Sequence, residues 1–118
     1  MEFHFERLTV WQEAMELVQS IYTVTRQFPK EEQFGLTSQL QRAAVSIPAN
    51  IAEGKGRYHL KEFLQFLYTS RGSLYETITL LKLATQLQYL RPMDEQALLT
   101  RCQTIASQLS GLINSLKK

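Results

Sequence analysis

The 118-residue sequence is short of the residues that most chemistry needs. It has one cysteine, Cys102, and two histidines, His4 and His59. A single cysteine excludes an internal disulfide and a thiolate zinc site within one chain, and it fits a reduced, cytoplasmic setting. A di-metal site in a helical bundle takes a Glu-x-x-His motif on each of two helices. Neither histidine follows a glutamate by three residues, and both fall outside predicted helix interiors, so no metal or other cofactor is expected. Cys102 occupies a core position of a heptad pattern, where a thiol packs as a small apolar group. Gly54-Lys55-Gly56-Arg57 has two glycines but no strand before it, so it is not a phosphate cradle of the nucleotide-hydrolase kind. A non-enzymatic role is the expectation.

Long hydrophobic runs are also missing. No stretch of about 18 apolar residues offers a membrane span. Acidic residues interrupt Met1-Glu2-Phe3-His4-Phe5-Glu6-Arg7, which therefore does not read as a signal peptide. The 5 glycines and 3 prolines are scattered, with no linker, repeat or low-complexity tract, so residues 1–118 form one domain, long enough to bury a real core. The charge is nearly balanced, 13 basic residues against 11 acidic ones for a net +2. So mild an excess neither calls for nor excludes a nucleic-acid partner.

What the chain does have is helical periodicity, with no competing strand-like alternation. The pattern predicts an all-α fold: an antiparallel up-down-up-down four-helix bundle with helices over about 8–28, 36–54, 60–89 and 93–117. In the first helix Leu8, Trp11, Met15, Val18 and Tyr22 step by three and four, with Ala14, Ile21 and Phe28 alongside; Thr9 is the expected N-cap and Pro29 the stop. In the second, Leu36, Leu40, Ala43, Ala44, Ile47 and Ile51 make one apolar face, and Gly54 suits a C-cap. Pro48 predicts a kink near Ala44–Pro48 without a break. Val45, Ala49 and Ala52 make much of the remaining surface apolar, the mark of a helix covered on two sides, by its own bundle or by another subunit. In the third helix Leu60, Phe63, Leu67, Ser70, Leu74, Ile78, Leu81 and Ala84 track the core. In the last, Leu98, Cys102, Ile105, Leu109, Leu112 and Leu116 repeat by four and three, with Leu99, Ala106 and Ile113 seven apart beside them; Asp94 is the expected cap.

Two groups of polar residues stand out. Gln39, Arg42, Ser46, Asn50 and Glu53 form a stripe on the second helix, and Glu76 sits mid-way along the third. They predict a buried structural network in which Arg42 pairs with Glu76 or Glu53, the kind of arrangement that fixes helix register and partner choice, with a ligand-binding polar cleft as the alternative. The other group follows from topology. An up-down-up-down bundle brings Arg7, Lys55, Arg57, Lys61, Lys117 and Lys118 to one end, against Glu2, Glu6, Glu53 and Glu62, while the opposite end is balanced. That basic end, with Tyr58 beside it, is the candidate nucleic-acid-binding surface.

Leu8-Thr9-Val10-Trp11-Gln12, the run Phe28 to Leu40, and Arg42-Ala43-Ala44-Val45-Ser46-Ile47-Pro48-Ala49-Asn50-Ile51-Ala52-Glu53-Gly54 resemble the bacterial four-helix-bundle family of 23S rRNA intervening-sequence proteins. The similarity continues through Phe63 to Leu67, Gly72 to Glu76 and Gln88 to Leu90. The resemblance implies a small antiparallel bundle assembled as a ring-like homopentamer, without a defined biochemical activity. It also extends to the accessory variability determinants of diversity-generating retroelements, bundles that bind a reverse transcriptase and nucleic acid through strongly basic surfaces. A net charge of +2 departs from that second branch. The partners expected on this reading are further copies of the chain, RNA or another nucleic acid, or a protein for which the bundle is an adaptor.

Overall fold

The computed structural model describes all 118 residues, 43 × 25 × 23 Å in extent. Four helices account for most of the chain: α1 (Thr9–Thr25), α2 (Leu36–Lys55), α3 (Leu60–Gln86) and α4 (Pro92–Leu116). Short 3-10 turns at His4–Arg7 and Lys30–Glu32 precede α1 and α2. Each helix packs on the next and α4 closes against α1, whereas the diagonal pairs α1/α3 and α2/α4 do not meet. This is the antiparallel four-helix bundle that the periodicity predicts.

The helix ends depart from expectation for local reasons. α1 stops at Thr25, three residues early. The amides of Arg26, Gln27 and Phe28 bond carbonyls three residues back, at 3.4, 3.2 and 3.1 Å, a tightening that lets the chain turn extended ahead of Pro29. The N-cap of α1 is Leu8, not Thr9, because the preceding 3-10 turn delivers Leu8 in extended conformation. α3 ends at Gln86, not Tyr89. Gln88 turns left-handed with φ 67°, its amide bonds Thr85 O at 2.9 Å, and that of Tyr89 bonds Ala84 O at 2.9 Å; this is a Schellman close with glutamine where glycine is usual. Pro92 opens α4 at its first position, and Asp94 lies inside the first turn, held by Arg91 Nε at 3.0 Å.

The core takes the whole predicted face of α2, with Leu40, Ala44, Ile47 and Ile51 fully buried. It takes Leu67, Leu74 and Leu81 from α3, and Cys102, Ile105 and Leu109 from α4. In α1 the inward row is Val10, Ala14, Leu17 and Ile21. Ala14, Ile21 and Phe28, expected alongside the row of larger side chains, are buried; of that row, Leu8, Trp11 and Val18 pack half-buried against this core and Met15 is half-buried, whereas Tyr22 is 43% exposed. Leu60 likewise falls outside the core, 49% exposed.

α2 and α3 make the most intimate pair, and small side chains are the reason. Ser70, fully buried, donates across the seam to Ile47 O at 2.9 Å, and the Ser46 and Ser73 hydroxyls meet at 2.7 Å. Gly54 is a helix residue here, not a C-cap, and helix α2 runs one residue past it. A Cβ at Gly54 would stand 2.6 Å from Phe66 Cβ and 3.0 Å from Phe63 Cδ1. Glycine is thus needed for contact, not for backbone freedom. α2 runs unbroken through Pro48. The proline removes one amide from the ladder, while the side chains of Asn50 and Ser70 feed the carbonyls of Ser46 and Ile47 just before it.

Candidate functional surfaces

The polar stripe of α2 meets α3 along the outer edge of their seam, because the apolar row of α2 claims the inside. Gln39 Nε2 reaches Glu76 Oε2 at 3.4 Å, and Asn50 Nδ2 donates to Ser46 Oγ at 2.9 Å. Ser46 in turn meets Ser73, so one polar line runs from Asn50 across to α3. The network is therefore a solvated groove and not a buried one. Gln39, Arg42 and Glu76 are exposed and Ser46, Asn50 and Ser73 half-buried. Arg42 pairs with neither Glu76 nor Glu53; Glu53 is taken by Arg57 at 3.3 Å. With Phe34, Ser38 and Ser73, residues Gln39, Arg42, Ser46 and Glu76 line an open depression of about 430 Å³. Ser73 was legible as a member, since it stands three residues before Glu76 on one helix edge. Phe34, 91% exposed at the mouth, carried no such signal.

The second surface is the end where the α2–α3 turn meets both chain termini. The N-terminal turn is fixed by Glu6, whose carboxylate accepts from Phe3 N at 2.8 Å, and it packs on α1 and α2. Arg7 is bound to Glu2 at 2.6 Å, and Arg57 is shared between Glu53 and the face of Phe66, 4.9 Å from the ring centre. Lys55 lies 5.7 Å over Phe63. Lys61, Lys117 and Lys118 are exposed and make no ion pair. Tyr58, 88% exposed, stands edge-on to His59 with ring centres 5.0 Å apart. Two of the six candidate cations are thus neutralised, and the lysines carry the field of this end.

Cys102 is fully buried, and burial pushes its thiol from an ordinary 9.0 up to about 12. Such a thiol stays protonated and unreactive. Tyr89 donates its phenol to Glu32 Oε2 at 3.1 Å, and that bond raises its pKa; this ties the α3–α4 connection to the turn before α2. No three His, Cys, Asp or Glu side chains gather as metal ligands, and no helix is long and apolar enough to cross a membrane.

Comparison with known proteins settles the kinship. Residues 6–111 match the family model of the 23S rRNA-intervening sequence protein. The chain belongs to that family. A solved structure from Bacteroides thetaiotaomicron, described as a protein with unknown function from the S23 ribosomal protein family, matches this intervening-sequence protein with a TM-score of 0.82. The match covers 89% of this chain and 95% of that one at 22% identity, a likeness of fold. No curated protein is significantly similar to this family member.

Proposed function

We propose that this intervening-sequence protein is a non-enzymatic scaffold that assembles with copies of itself, as a pentamer on the family's pattern, and presents its basic ends to RNA. The observation that carries the nucleic-acid part is the convergence of cations from three separate stretches of sequence. Lys61 comes from the start of α3, Lys117 and Lys118 from the end of α4, and Lys55 from the end of α2. One copy offers too few phosphate contacts for tight binding, since affinity scales with the number of phosphates neutralised. A closed assembly repeats the lysines and Tyr58 once per copy, and exposed aromatics next to cations suit unpaired bases. A protein partner is the second reading, favoured by Phe34 at the mouth of a groove with unpaired Arg42.

The test is fluorescence anisotropy of labelled single-stranded RNA over a salt series, with Lys61→Glu/Lys117→Glu as the comparison. Expected is an affinity that falls with salt at a log–log slope of about −0.7 per phosphate contacted, and at least about tenfold weaker binding by the variant. Salt-insensitive binding, or a variant indistinguishable from the parent, overturns the RNA reading. Light scattering of the untagged protein reads the assembly independently.

A further inference from the structure

We infer that single-stranded RNA runs from the basic end onto the side of the bundle, along the outer edge of α3 nearer α4. This rests on the RNA reading above and goes beyond it by naming a track and the side chains that hold the strand.

Charge on α3 is sorted by edge. Lys61, Arg71 and Lys82 are its only cations, Glu62 and Glu76 its only acids. Lys61, Tyr68, Tyr75 and Lys82 follow one another at seven-residue steps. Leu64, Arg71 and Ile78 fall between them at steps of three and four, so all share one stripe. Ile78 and Lys82 line the open groove between α3 and α4, which fixes that stripe on the α4 side. Glu76 lines the depression on the α2 side, and Glu62, two heptads before it, stands on the same edge.

Nothing nearby offsets the three cations. None of them is held in an ion pair. Between Glu95 and Lys117 the one charged residue of α4 is Arg101, which reaches Glu16 on α1 at 3.8 Å. Glu95 is the one acid lining the groove, at the end remote from Lys61 and Lys117.

The apolar members of the stripe belong to the bundle, since Leu64, Tyr68 and Ile78 are half-buried and pack on the core. Arg71 lies over the Tyr68 ring, 5.2 Å from its centre, which holds the guanidinium at the surface. What is left for a ligand is a row of three cations and one open ring, Tyr75, 54% exposed between Arg71 and Lys82. At the standard helical rise the cations stand about 15 Å apart and the row is about 31 Å long. It begins at Lys61, close in sequence to exposed Tyr58.

That combination selects the occupant. Spaced cations suit the phosphates of any polyanion, but an exposed ring between two of them offers an unpaired base a face to stack on. A duplex keeps its bases stacked on one another, and an acidic polypeptide would leave the ring idle.

Fluorescence anisotropy with a labelled oligouridine of about 12 nucleotides tests this, since about nine phosphates at about 3.4 Å each already span the row. Tyr75→Ala is expected to weaken binding at least about fivefold with the salt slope unchanged. Lys82→Gln is expected to make the log–log slope shallower by about 0.7, and Arg71→Gln/Lys82→Gln by about 1.4. Circular dichroism checks folding; should the double variant lose helicity, Lys82→Gln alone carries the charge test. If Lys61→Glu/Lys117→Glu weakens binding while Tyr75→Ala and Lys82→Gln match the parent, the track is overturned and the RNA reading of the end stands. Polyglutamate bound as tightly as oligouridine, with Tyr75→Ala binding both as the parent does, identifies an acidic-polypeptide site and also overturns the track. A parent that binds no oligouridine removes the RNA reading and this inference together.

Discussion

Replacing Gly54 by alanine should destabilise the protein, although the same replacement elsewhere in its helices should help. Gly54 has a helical backbone, so alanine gains up to about 1 kcal/mol of helix propensity there. Against that gain stands the 2.6 Å approach to Phe66 Cβ, an atom that no rotamer change can move, with Phe63 Cδ1 at 3.0 Å behind it. Relief requires α2 and α3 to separate. That strains the Ser46–Ser73 and Ser70–Ile47 bonds, at 2.7 and 2.9 Å, that span the same seam. Overpacking of this kind costs about 1–3 kcal/mol, and with two ring-bearing residues in the way the net loss should be about 2 kcal/mol. Gly72 and Gly111 supply the control. Both are helical, and a Cβ at either meets nothing within 4 Å. Alanine at those sites should stabilise by about 0.5–1 kcal/mol. Urea titrations followed at 222 nm, all at one protein concentration because self-association shifts apparent stability, give the three values. A Gly54→Ala protein as stable as Gly111→Ala would refute the reading of the seam as a contact that only glycine permits.

The other backbone and core features give further tests. Gln88→Gly should stabilise by about 0.5–1 kcal/mol in the same titration, since it removes the left-handed penalty at φ 67° but adds unfolded-chain entropy; a loss of stability would mean that the glutamine side chain matters more than its backbone. Cys102 sets a pH dependence of known sign. Its folded pKa of about 12 exceeds its ordinary 9.0, so the folded state keeps a proton that the unfolded state has lost. Its contribution is complete below pH 9 and lost as pH rises toward 12. Above pH 9 the parent should therefore lose stability faster than Cys102→Ala, by roughly 1 kcal/mol per pH unit; parallel curves would show that the thiol is not buried.

The bundle was legible because heptad spacing and short connections constrain topology strongly, and every residue of the predicted α2 face is buried. Helix ends were less legible, since several depended on interactions that a single-helix pattern does not contain. Glycine is the usual left-handed residue, so nothing marked Gln88 as the close of α3. Gly54 read as a cap because glycine near a helix end usually is one, and only the approach of Phe66 from α3 reveals its role. The polar stripe was recognisable as a unit, but its depth was not: spacing places Gln39, Arg42 and Ser46 on one edge without saying whether the edge faces core or solvent.

The same ambiguity holds in α1. Two apolar rows run along this helix about one residue apart, Val10-Ala14-Leu17-Ile21 and Trp11-Met15-Val18-Tyr22. Periodicity favours the second, which has the larger side chains, yet the bundle buries the first. Closeness decides it. Ala14, Leu17 and Ile21 are fully buried in the core, and a close-packed interior filled by this smaller row leaves no space for Trp11 or Tyr22. The bulky row lies at the edge of the core, where Trp11 and Val18 pack half-buried against it and Tyr22 stays 43% exposed. A core that takes the smaller row and an apolar edge left partly open at Tyr22 are then two consequences of one packing choice.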